Sequence, residues 1–149
     1  MTKTDERATW DGLPVSPEPP YGATIIVRRQ GDLEHRYLLL HRSGAGDTGE
    51  WAWTPPSGAR LPSEPINECA KRELLEETAL VIEPTFVDVG TEDWPVYLVE
   101  VRRECQITLS PEHDRFEWVT IDQAFARCKP ERVAAPFRRL KDLEYEEDR

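Results

Sequence analysis

The segment Glu68 to Leu80, "ECAKRELLEETAL", sets the hardest condition on any fold this chain adopts. Its periodicity is helical. At about 100° per residue, Ile66, Cys69, Ala70 and Leu74 fall on one side and form the stripe that a helix buries. Glu73 and Glu77 project into the middle of that stripe, and Glu76 lies at its edge. All three sit towards the helix end where the backbone dipole already disfavours anions. Burying the stripe therefore means burying carboxylates.

A solvated face with ion pairs to Lys71 and Arg72 is the ordinary alternative. Like charges at three- and four-residue spacing oppose one another by roughly 0.2–0.5 kcal/mol on an exposed helix. Desolvation without partners costs far more. A divalent cation removes that penalty. Carboxylate oxygens are the hard ligands suited to Mg²⁺ or Mn²⁺, and this spacing converges them on one point. A metal site is the better reading of these residues.

The flanking residues narrow it further. Gly58 is followed after five residues by Glu64, and seven more lead to Arg72-Glu73-Leu74; Glu76, Glu77, Ala79 and Leu80 complete the run. The pattern resembles the Nudix hydrolase signature, G-x5-E-x7-R-E-U-x-E-E-x-G-U, with Ala79 in place of its last glycine. The resemblance implies an α/β fold in which a mixed β-sheet is sandwiched between helices, an α/β/α arrangement. It also implies Mg²⁺- or Mn²⁺-dependent hydrolysis of a nucleoside diphosphate linked to another moiety. Glu73, Glu76 and Glu77 are then the metal ligands, with the Gly58 carbonyl brought near the metal by a sharp backbone turn. Arg72 would orient a catalytic glutamate by a charge-assisted hydrogen bond, reaching back to Glu64. Ala79 carries no chemistry; with φ > 0 it costs some stability relative to glycine.

Outside that box, "WTPPSGA" (Trp53 to Ala59), "VYLVEV" and "ITLSPEHDRFEW" resemble the asymmetrical diadenosine tetraphosphate hydrolases of the same superfamily. By that likeness Glu112 is a further metal ligand or the general base, a role Glu77 shares as candidate. His113 is a phosphate or base-pocket contact, and Phe116 a stacking surface for a nucleobase. By period alone, one of Phe116 and Trp118 is simply core. Ser57 and Ala59 stand where those hydrolases carry lysine and histidine. Arg60, Arg42 or Arg102 would have to supply the missing cation, and Arg60 is counted with the substrate-binding candidates. Two alternatives follow: a house-cleaning nucleoside triphosphate pyrophosphohydrolase, and, from a different class, a non-catalytic nucleotide-sensing module.

Composition limits the partners. Lys plus Arg is 19 and Asp plus Glu is 29, a net charge of −10, which argues against nucleic acid or an anionic membrane surface. A small-molecule nucleotide would need local help from a cation. Cys69, Cys105 and Cys128 form no Cys-x-x-Cys pair, so neither a disulfide framework nor a zinc site is expected. The polar N-terminus is not a secretory signal, no apolar run reaches the length of a membrane span, and a cytoplasmic protein, monomer or homodimer, is expected.

At 149 residues one domain is expected, over 21–145, behind a proline-rich irregular lead-in, 1–20. "YGATIIVRR" and "HRYLLLHRS" read as a hairpin. The stretch 51–64 reads as irregular because of its Pro and Gly content. A helix follows from about Pro65 to Thr78, with Ser63 as N-cap. "FVDVG", "PVYLVEVRR" and "FEWVT" read as strands. Thr120 and Gln123 form a capping-box signature for a short helix, and a last helix from about Pro130 should break or kink at Pro136. Trp10, Trp51 and Trp94 are open between pocket, interface and core.

Overall fold

The structure is a computed structural model that describes residues 14–147. Seven strands and three helices alternate as β1 (Gly22–Gln30), β2 (His35–Arg42), β3 (Trp53–Thr54), β4 (Ser57–Ala59), α1 (Ile66–Thr78), β5 (Thr85–Val87), β6 (Val96–Val101), β7 (His113–Val119), α2 (Ile121–Arg127) and α3 (Glu131–Glu147). They form one mixed sheet of order β3-β2-β1-β6-β5, with β4 added to β1 and β7 to β2. β1 and β6 run parallel; the other pairs are antiparallel.

The apolar run at the start of β1 is explained by its place between two helical layers. Ala23, Ile25 and Val27 pack with Leu38, Leu40, Val99 and the α1 residues Cys69, Ala70 and Leu74. Ile26 points the other way, into a second core with Tyr37, Leu39, Val96 and Phe137 of α3. Period-two alternation thus feeds two cores from one strand, which is the α/β/α layering expected.

Three local expectations are corrected. Ser63 does not cap α1: it has φ 63°, Pro65 holds the N-cap position, and no side chain bonds there. Residues 51–64 are not wholly irregular, because β3 and β4 pair with β2 and β1 on either side of Pro55-Pro56. Proline is tolerated there because it interrupts between the two short ladders rather than inside one. α3 runs through Pro136 without a break; the helix gives up the one bond that residue 136 would donate to the Arg132 carbonyl and is held by its packing through Ala134, Phe137 and Leu140. The Thr120–Gln123 capping box is present in both directions. Trp10 lies outside the described residues.

Candidate metal and catalytic site

Burial of α1 forces its carboxylates inside. Cys69, Ala70 and Leu74 are fully buried, and with them Glu73 (5% exposed) and Glu77 (2%). Glu76 remains exposed at the edge. The Glu73 and Glu77 carboxyls lie within hydrogen-bonding reach of each other. Burial pushes Glu73 up to about 7, against the lowering effect of its hydrogen bond with Glu77 and of the Arg72 guanidinium. Burial first, then the Glu73 carboxyl and the nearby Glu112, hold Glu77 well above the usual carboxylate range.

Glu77 is poorly served by the protein. One oxygen accepts the Ser57 N–H at 3.3 Å, while Oε2 is buried with no hydrogen-bond partner. An orphaned carboxylate oxygen is rare in a folded protein and calls for an explanation such as an ion. Glu77, Glu112 and His113 each place a ligand atom within 4.8 Å of the others. Burial pushes the His113 imidazole down to about 4, so the ring is neutral and one nitrogen has a lone pair to offer a metal. Its Nδ1 also lacks a partner. This donor set fits a divalent cation: it is acid-rich, and its two buried members, Glu77 and His113, each have an unpartnered ligand atom.

Gly58 serves the site by being small. It lies in β4 opposite Ala23 and needs no positive φ, so the sharp turn expected there is replaced by a strand. A Cβ at that position would stand 2.0 Å from Cδ of Glu73. Only glycine leaves room for the carboxylate.

Beneath the cluster lies Arg72. Its Nε and one NH2 donate to the two oxygens of Glu64 at 2.8 and 3.0 Å, NH2 also donates to the Ala59 carbonyl at 2.9 Å, and NH1 reaches Glu73 at 2.8 Å and Glu76 at 3.2 Å. Burial alone would raise the Glu64 carboxyl; hydrogen bonds from Arg72 and the Leu61 N–H outweigh it and hold Glu64 below its ordinary value. The reach back from Arg72 to Glu64 is as the box resemblance implied.

The residues after the box are set by a bulge. His41 pairs with Arg115 and Arg42 with His113, leaving Asp114 unmatched. Such an insertion re-aims the side chains around it. Asp114 Oδ1 lies 2.8 Å from Nδ1 of the buried His41, whose Nε2 lies 2.8 Å from the Gly46 carbonyl. Neither His41 nor Asp114 was singled out in the sequence, and no spacing rule links residues so far apart. Arg60 is employed elsewhere: it donates to Pro20 O at 2.6 Å, Glu64 O at 3.0 Å, Ser16 Oγ at 2.8 Å and Glu18 O at 2.9 Å, pinning the segment before β1. Phe116 is 37% exposed on β7 and faces the α1 side, opposite Leu40.

Compared with known proteins, the sequence profile of the NUDIX domain matches residues 19–141. The chain belongs to the Nudix family. It is a hydrolase acting on pyrophosphate bonds. This Nudix protein is similar in fold to a C. elegans Ap4A hydrolase (TM-score 0.66, 20% identity, covering 84% of this chain and 97% of that one). It is equally similar to the E. coli dihydroneopterin triphosphate pyrophosphohydrolase (TM-score 0.66, 18% identity, 84% and 96%). The NUDIX domain of Shewanella oneidensis NrtR, solved with ADP ribose, shares the fold at TM-score 0.54 and 20% identity over 86% and 87%. At these identities the fold alone is shared. Among the described residues no helix is long and apolar enough to cross a membrane.

Proposed function

We propose that this Nudix protein cleaves a P–O–P bridge in a nucleoside diphosphate linked to another moiety, with dinucleoside polyphosphates such as diadenosine tetraphosphate as the first candidates. The observation that carries the reading is the buried, unpartnered Oε2 of Glu77 beside Glu73, Glu112 and His113. The substrate class leans on the sequence likeness after the box and on the shared fold with an Ap4A hydrolase.

Glu73, Glu76, Glu77 and Glu112 would hold Mg²⁺, or Mn²⁺, with His113 beside them. Such an ion neutralises phosphate oxygens and lowers the pKa of bound water. Glu77, through Oε2, or Glu112 accepts the proton of the attacking water. Arg72 holds Glu64 ionised and fixed and orients Glu73, leaving catalysis to positioning and charge rather than to a covalent intermediate. With a net charge of −10, an anionic substrate is admitted because the cation inverts the local field.

The test is a mass-spectrometric product screen in Mg²⁺ or Mn²⁺ over dinucleoside polyphosphates, nucleoside triphosphates, nucleotide sugars and dinucleotide coenzymes. ATP plus AMP from diadenosine tetraphosphate is the expected result. A monophosphate plus pyrophosphate from a triphosphate would instead favour the house-cleaning alternative, for which Ser57 and Ala59 in place of lysine and histidine are the sequence argument. Binding without any product would favour a sensing module.

A further inference from the structure

A cleft of about 680 Å³ opens on the α3 side of the sheet, with Trp51, Thr54, Ser57, Trp94, Arg132 and Arg139 in its walls. It lies across the sheet from Phe116. Val96 and Val133, which also line it, belong with the α3-side core, whereas the β2 partner of Phe116, Leu40, packs on α1. Ser57 joins the cleft to the carboxylate cluster, since its N–H donates to Glu77. A group attached to a diphosphate at Glu73 and Glu77 and running past Ser57 would enter this cleft.

Two features of the walls select that group. Trp51 and Trp94 are 37% and 36% exposed, which is much open indole for one concave site. Each is also held in one orientation. The Trp94 Nε1–H donates to Thr24 Oγ1 at 2.9 Å, and its ring lies so close over Gly22 that a Cβ there would stand 2.3 Å from it. Trp51 has the Arg132 guanidinium 4.9 Å from its ring centroid. Arg139 donates to the carbonyls of Val89 and Gly90, and so keeps its charge while adding to the rim. Fixed indole faces cost little entropy on binding a flat ring. Positive charge beside them suits a ring that carries phosphate.

We propose that this cleft is a nucleobase subsite in which the indoles of Trp51 and Trp94 stack on the heterocycle of the substrate. The inference rests on reading the carboxylate cluster as the diphosphate site. It places base recognition on the opposite face of the sheet from Phe116.

Binding is measured by ligand-observed NMR titration at millimolar concentrations in EDTA, so that turnover is absent, with AMP, GMP and ribose 5-phosphate as probes. The two nucleotides should bind at least 10-fold more tightly than the sugar phosphate. Trp94→Leu should remove about 10-fold of that difference, the scale of one lost base–aromatic stack. Trp94→Phe should retain most of it, which separates stacking from loss of fold, and Phe116→Leu should leave it unchanged. Equal binding of nucleotide and sugar phosphate, no binding of either, or loss of preference in Phe116→Leu alone would overturn the subsite. Catalysis is read separately in Mg²⁺: base-selective binding without turnover would defeat the hydrolase reading and leave the cleft standing. Turnover without base-selective binding would do the reverse.

Discussion

The guanidinium of Arg72 and the carboxylate of Glu64 meet as a fork, with Nε–H donating to Oε2 at 2.8 Å and NH2 donating to Oε1 at 3.0 Å. Eight residues apart, they tie the loop before α1 to its middle turn, and the same guanidinium fixes Glu73. Lysine cannot reproduce a planar fork. Arg72→Lys should lower kcat at least 10-fold with little change in KM. It should also lower Tm by about 3–6 °C, from a loss of roughly 1–2 kcal/mol. If the pair acts as a unit, Glu64→Gln added to Arg72→Lys should cost no more than the larger single effect. Additive losses in that cycle would show that the pair is not coupled.

Glu77→Gln tests the cluster from its buried centre. The variant should lose at least about 100-fold in turnover, the scale of a lost base or ligand role. It should fold normally, because it removes one of two opposed buried carboxylates. In metal-free buffer its Tm should equal or exceed that of the parent. Added Mg²⁺ or Mn²⁺ should raise the Tm of the parent, since a ligand of the folded state stabilises it, and should do so much less in the variant. Near-parental turnover would remove Glu77 from the mechanism.

Gly58→Ala is expected to be disproportionately harmful for one methyl group. The added Cβ would overlap the Glu73 carboxyl at 2.0–2.3 Å, so the carboxylate must leave its place. Metal affinity, followed by calorimetric titration, should fall at least 10-fold.

Ala79→Gly should do the opposite of harm. Ala79 ends α1 at φ 64°, ψ 17°, donating its N–H to the Leu75 carbonyl. Left-handed backbone costs a residue with a Cβ about 1 kcal/mol, so glycine should raise Tm by about 3 °C and leave kcat and KM unchanged. A fall in Tm would mean that the strain is relieved in some other way.

Cys128 gives a pH prediction away from the site. Burial pushes its thiol up to about 12, above the value of about 8.5 for an exposed cysteine. The folded state thus keeps a proton that the unfolded state releases. Its contribution to stability is intact below the unfolded value and is lost as pH rises towards about 12. Stability should fall more steeply with alkaline pH in the parent than in Cys128→Ala. At about pH 8, maleimide should modify the half-buried Cys105 and spare Cys69 and Cys128, giving one adduct by intact mass.

Much of the local structure was legible because it depends on neighbours in sequence. The alternation in β1 and β2, the helical stripe of α1 and the Thr120–Gln123 box are all short-range patterns, and each stands where expected. The cap at Ser63 and the break at Pro136 are absent because capping and helix-breaking preferences are averages that a particular packing overrides. The short strands around Pro55-Pro56 were missed because two- and three-residue ladders leave no periodicity to read.

By itself the sequence determined the family and the core of the site. A carboxylate set on the buried stripe of one helix, with a glycine, glutamate and arginine at fixed distances, requires an ion or an expensive desolvation, and that requirement is written in spacing alone. Which residues join the set from elsewhere was decided by tertiary structure. The bulge at Asp114 accompanies the approach of His113 and Glu112 to Glu77. The seating of Arg60 on the segment before β1 commits its guanidinium there. β1 pairs with β4 at Gly22–Thr24 and with β2 only at Arg28–Gln30, and Trp51, Trp94 and Ser57, far apart in the chain, come to share one cleft. Such meetings depend on strand order and register, which no local pattern encodes.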